Sequence, residues 1–116
     1  MKQSATLKRS ITRRHDWIDE RSLALHAVIA EKIHRDPKLL DIARRNLARW
    51  MENAGDATLP VLQSWKTMIE TWPLEKLLGF LTEESERANQ LRQSSPFTGI
   101  LTVQERNEIF ARYETL

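Results

Sequence analysis

Pro60-Val61-Leu62-Gln63-Ser64-Trp65-Lys66-Thr67-Met68-Ile69-Glu70-Thr71-Trp72-Pro73 is the stretch on which the fold turns. Val61, Leu62, Trp65, Met68, Ile69 and Trp72 recur at the i, i+3, i+4, i+7 spacing that lines one face of an α-helix. The helix is predicted from about Thr58 or Pro60 and is interrupted at Trp72-Pro73, because a residue before proline avoids the α region. The same period runs outward in both directions, and nothing in the chain alternates with period two for long enough to suggest a strand.

Upstream, Ile18, Leu25, Val28, Ile29 and Ile33 share one face of a helix predicted from near Asp16 to about His34. Asp36-Pro37 restarts the chain, with Asp36 as N-cap and Pro37 at the first helical position, where its missing N–H costs nothing. That second helix runs to about Asn53 on Leu39, Leu40, Ile42, Ala43, Leu47, Trp50 and Met51, and Gly55 lies just past its end. Downstream, Leu74, Leu77, Leu78, Phe80 and Leu81 make a short helix that is apolar on most sides and therefore central. Thr82 is expected to cap a polar fifth helix reaching Gln93, whose apolar face is only Ala88 and Leu91. Thr102-Val103-Gln104-Glu105 matches a capping box opening a last helix that carries Ile109, Phe110 and Tyr113 inward. The expected fold is all-α, a compact single-domain bundle of five to six short helices over residues 15–116, preceded by a flexible basic tail over 1–14.

The 116 residues suffice for one real hydrophobic core. Cysteine is absent, which excludes a disulfide framework, a thiolate nucleophile and a Cys-containing zinc site, and suits a reducing cytoplasm, the expected location. No apolar run approaches the ~20 residues of a membrane span. The net charge of +2 hides an asymmetry: residues 1–15 hold Lys2, Lys8, Arg9, Arg13 and Arg14 and no acid, while the remainder is mildly acidic. A basic arm on an acidic body argues against a globally basic nucleic-acid-binding domain.

Candidate chemistry is sparse. Arg21 and His26 fit the loose Arg-x4-His spacing of HEPN-type ribonucleases, in which a histidine exchanges protons and an arginine clamps a phosphate. Five residues of helix set those side chains ~140° apart, so two residues flanking an apolar stripe is the preferred reading. His15, His26 and His34 lack the i, i+3 or i, i+4 spacing of helical metal ligands, and no metal or cofactor is expected. Lys38, Arg45 and Arg49 line one edge of the second helix, a candidate phosphate-binding stripe that Asp41 and Glu52 partly neutralise. Glu83, Glu84 and Glu86 suit a helix start and not a catalytic pair. Of four tryptophans, Trp50, Trp65 and Trp72 fall on apolar faces, whereas Trp17 adjoins the basic tail and is the best candidate for an exposed anchor.

One passage lacks helical period and is nonetheless dense in specific residues: Leu91-Arg92-Gln93-Ser94-Ser95-Pro96-Phe97-Thr98-Gly99-Ile100-Leu101. Pro96 stops a helix, Gly99 permits a sharp turn, and Phe97, Ile100 and Leu101 must be tucked into either this chain's own core or a partner. With the flanking Arg87-Ala88 and Glu105-Arg106, this run resembles the ending of a group of short bacterial all-helical proteins. The likeness extends more faintly to Ile42-Ala43-Arg44, Asn46-Leu47, Trp50, Pro73-Leu74 and Leu77-Leu78, and not to the tail. Such proteins resemble the small, non-catalytic, antitoxin-like member of toxin–antitoxin modules, which implies a protein partner and transfers no catalytic residue.

The leading expectation is thus a non-enzymatic protein-binding module contacting a partner enzyme through Trp17, Arg13, Arg14, Phe97, Ile100 and Leu101. The alternatives are nucleic-acid binding through Lys8, Arg9, Lys38, Arg45 and Arg49, and a divergent HEPN-like ribonuclease using Arg21 and His26.

Overall fold

The computed structural model describes the backbone of residues 2–114 and the side chains of residues 17–113. The basic tail, with Lys8, Arg9, Arg13 and Arg14, lies outside the described side chains. Six α-helices and no strand occur among the described residues, as the periodicities predict.

The first helix, α1, spans Lys2–Arg35 and carries Lys32, His34 and Arg35 in its last turn, where positive charge complements the helix dipole. A 3-10 turn, Pro37–Leu39, follows, and the Asp36 carboxylate accepts a hydrogen bond from the Lys38 amide at 3.3 Å. The expected cap is therefore present, but it opens a tight turn that leads into α2, Leu40–Met51. Helix α3 is Leu59–Thr71, ended by extended Trp72 before Pro73, and α4 is Leu74–Leu81.

Two capping expectations need correction. Ser85, and not Thr82, caps the fifth helix: its hydroxyl accepts from the Ala88 amide at 3.1 Å, and α5 is only Glu86–Arg92. Thr82 instead closes α4. Gly55 does not end α2 in a left-handed cap, since Gly99 alone has positive φ among the described residues; the Gly55 carbonyl accepts from the Leu59 amide at 3.0 Å and so serves the start of α3. The capping box of α6, Val103–Glu114, forms as expected, Thr102 Oγ1 accepting from the Glu105 amide at 3.0 Å and Glu105 Oε1 accepting from the Thr102 amide at 2.8 Å.

Helix α1 is the spine. Helices α4 and α6 pack on it, α2 pairs with α3, and α4 bridges to α3 and α5. Ile29 and Ile33 from α1 meet Ala43 and Leu47 from α2, Leu62, Trp65 and Met68 from α3, and Leu77 and Leu81 from α4 in one continuous core. Trp65 is fully buried, and its indole N–H, which needs a partner there, donates to the Leu91 carbonyl at 2.8 Å. Its ring takes Phe80 and Phe97 edge-on at 5.9 and 5.3 Å.

The segment between α5 and α6 enters this core. Phe97 is 1 % exposed, Ile100 3 % and Leu101 9 %. Of the two homes the sequence leaves open for these side chains, this structure gives the chain's own core: Phe97 and Ile100 are packed inside, and Leu101, at the core's edge, also lines the cleft described below. Gly99 makes the required turn at φ 98°, and a Cβ there would meet only Ile42 Cγ2 at 3.6 Å. Space is thus not the constraint; the backbone is. Gly99→Ala is expected to lose about 1–2 kcal/mol, read as a lower urea midpoint with an unchanged m-value. An unchanged midpoint would mean the turn relaxes to negative φ.

Candidate functional site

Helix α1, the C-terminal half of α5, the segment 93–101 and α6 surround a cleft of about 410 Å³. Its inner wall is built by hydrogen bonds from three elements. His26, 4 % exposed, projects from α1 with Nδ1 2.7 Å from the Ser22 carbonyl and Nε2 2.8 Å from Ser95 Oγ. A carbonyl only accepts, so Nδ1 carries the proton, and Nε2 accepts from the Ser95 hydroxyl. Ser95 Oγ also accepts from the Phe97 amide at 3.3 Å. From α2, Asn46 Nδ2 donates to the Pro96 carbonyl at 2.9 Å and the Thr98 carbonyl at 2.8 Å, while its Oδ1 accepts from Arg49 at 2.8 Å. Lys32 Nζ donates to the Ile100 carbonyl and to Glu105, both at 2.8 Å. The segment lacks secondary structure, so its backbone carbonyls depend on these side chains for partners.

Arg92, also 4 % exposed, is the second buried cation-forming group. Its guanidinium donates to the carbonyls of Leu81 and Glu83 at 3.2 and 2.9 Å and to Asn89 Oδ1, leaving Nε without a partner. Burial lowers its pKa, opposed by the more distant charges of Asp19, Glu83 and Glu84. Burial likewise pushes His26 down to about 4, against the Ser22 hydrogen bond and reinforced by the Arg92 charge. The Lys32 hydrogen bond, followed by that from the Thr102 amide, holds the Glu105 carboxyl below its usual range.

The mouth of the cleft is different in character. The Arg21 guanidinium carbon lies 4.8 Å from the Trp17 ring centroid and 4.7 Å from that of Phe110, and Arg106 stands over the same Phe110 ring at 5.4 Å. The Trp17 indole N–H donates to the Tyr113 carbonyl at 2.6 Å, tying α1 to α6. Trp17 is thus half-buried beside the cleft, held by the Tyr113 carbonyl at its N–H and by the Arg21 guanidinium over its ring.

Of the residues singled out in the sequence, the structure brings Arg21 and His26 to this one cleft, sets Trp17 beside it against Arg21, and sends Phe97, Ile100 and Leu101 to its floor and the core behind it. Lys38, Arg45 and Arg49 are exposed on the other side of α2's apolar face, with Arg49 drawn to Asn46 and neighbouring Arg44 paired to Asp41 at 2.7 Å. With its pKa pushed down to about 4, the His26 ring is neutral at neutral pH, and both its nitrogens are engaged within the chain. Among the described residues no group of three or more histidine or acidic side chains is placed to hold a metal ion, and no helix is long and apolar enough to cross a membrane.

Sequence reasoning missed Ser95, Asn46, Lys32 and Arg106. Asn46 left a signal: it stands within the apolar arc of α2 between Ala43 and Leu47, where a polar residue implies a buried partner. Arg106 and Ser95 left none beyond their place in the quoted run. No known protein family, curated protein or solved structure matches the chain.

Proposed function

We propose that this chain is a non-enzymatic protein-interaction module, an antitoxin-like protein that binds and neutralises a partner enzyme. The observation that supports this is the cluster at the cleft mouth: Trp17, Arg21, Phe110 and Arg106 stack on one another around an open, mixed polar and apolar cleft. Tryptophan and arginine are the side chains most enriched among residues that dominate binding energy. Here they are held by stacking, so less side-chain entropy is lost on association. The nucleic-acid alternative draws less support, because Arg49 of the α2 stripe is bonded to Asn46 and the neighbouring Arg44 is paired to Asp41.

The test is capture from the native host with the protein tagged at its C-terminus, followed by moderate- and high-salt washes. A protein recovered in about one-to-one ratio after high salt is the expected result, since stacked and apolar contacts resist screening. Nucleic acid alone, released as salt rises, would sink the proposal and make the basic tail the principal site.

A further inference from the structure

We propose that the α1–α6 cleft recognises a carboxylate carried by a partner's acidic segment, seated beside an apolar side chain of that same segment. The inference rests on the interaction-module reading and names the chemistry of its partner. Three arginines reach the cleft, Arg21, Arg92 and Arg106, against one acid, Asp19. Among the described residues no carboxylate lies within ion-pair distance of any of the three; the ion pairs present are Lys32–Glu105, Arg35–Glu31 and Arg44–Asp41. Asp19 with Glu83 and Glu84 acts on Arg92 only at longer range.

Arg21 is the centre of the argument. The Trp17 and Phe110 rings lie against its guanidinium at 4.8 and 4.7 Å, and stacking of this kind occupies the face of a planar cation while leaving its in-plane N–H donors for an acceptor. That arrangement suits the two oxygens of a carboxylate, which take paired N–H bonds. Arg106, over the same Phe110 ring at 5.4 Å, adds a second positive charge on the same rim. Leu25, Leu101 and the Phe110 ring supply an apolar wall alongside. A bare inorganic anion would leave that wall and most of the 410 Å³ unused, whereas an acidic residue next to a leucine or phenylalanine would use both.

The experiment titrates isotope-labelled full-length protein with a capped peptide alternating glutamate and leucine, with its glutamine counterpart, and with inorganic phosphate. The reporter is the Trp17 indole N–H resonance, assigned by its loss in Trp17→Phe. The expected result is a saturable shift with the glutamate peptide alone, with affinity reduced about tenfold in Arg21→Gln and in Arg106→Gln. Arg106 is exposed on α6, so its variant keeps the fold even where Arg21→Gln does not. An equal response to the glutamine peptide, a response to phosphate alone, or no shift at millimolar peptide would each overturn the carboxylate assignment. Capture of a partner separates the two readings. A partner retained by the Arg21→Gln/Arg106→Gln double variant leaves the module standing and removes the cleft from it. A glutamate-specific shift with no captured partner leaves the cleft standing and removes the module.

Discussion

Phe97→Ala is expected to cost about 4 kcal/mol, a large share of the total stability of a domain this size. The ring is 1 % exposed and meets Trp65 edge-on at 5.3 Å and His26 edge-on at 6.2 Å. Its neighbours cannot collapse into the vacated space. Asn46 fixes the Pro96 and Thr98 carbonyls on either side, and Trp65 is fixed by its bond to the Leu91 carbonyl. The void therefore persists and adds its own penalty to the lost burial. Thermal unfolding followed by far-ultraviolet circular dichroism should show a midpoint roughly 20 °C below wild type. A midpoint within a few degrees of wild type would mean that the segment is not core, and would return Phe97 to the role of a partner contact.

The second large effect is on acid stability, through His26. Its folded pKa of about 4 lies below the ordinary value of 6.5. Above pH 6.5 the ring is neutral whether the chain is folded or not, and its contribution does not change with pH. Between 6.5 and 4 the unfolded chain binds a proton that the folded chain refuses, so stability falls as pH falls. Between pH 7 and pH 5, above the range in which most carboxylates titrate, the loss is about 2 kcal/mol. Urea unfolding at both pH values should give this difference for wild type and only a small remnant for His26→Gln, which has no proton to gain. A wild-type stability that is flat over the interval would show the ring to be solvated. Glu105 contributes in the same direction at lower pH, since a depressed carboxylate loses its stabilising bond to Lys32 only on protonation.

The helices could be read from the chain because each one satisfies its own backbone and advertises its buried face by period. Ile29 with Ile33, Leu62 with Trp65 and Met68, and Leu77 with Leu81 are all core residues at positions the spacing predicts. Local capping was less legible. Thr82 and Ser85 are both reasonable caps three residues apart, and the choice depends on where α4 ends against α1, a tertiary matter. The cleft was the least legible part. Arg21 and His26 were singled out for a shared chemistry, and they do share a cleft, yet they do different things there: one is stacked at the mouth, the other sealed in the wall. Their neighbours Ser95, Arg106 and Phe110 come from more than 65 residues away along the chain, at a distance no local period reports. The run Leu91–Arg106 was conspicuous for a reason now visible. Arg92, Ser95, Phe97, Gly99 and Glu105 each perform one task in fixing an irregular backbone, and irregular backbone admits few substitutes.

The latching of residues 95–100 inverts the usual rule about where a chain of this kind tolerates interference. Connections between helices are ordinarily the places to insert a tag, split a protein or graft a peptide, because their backbone faces water. Here the connection between α5 and α6 is stitched to α1 and α2 by His26, Lys32 and Asn46, and an extra residue would pull carbonyls off their donors. The permissive seam is the other long connection, at Glu52-Asn53, just after α2: both residues are exposed and their side chains bind nothing among the described residues. An engineer choosing a site by secondary structure alone would have no reason to prefer one connection over the other; in this molecule the two differ as a hinge pin differs from a hem.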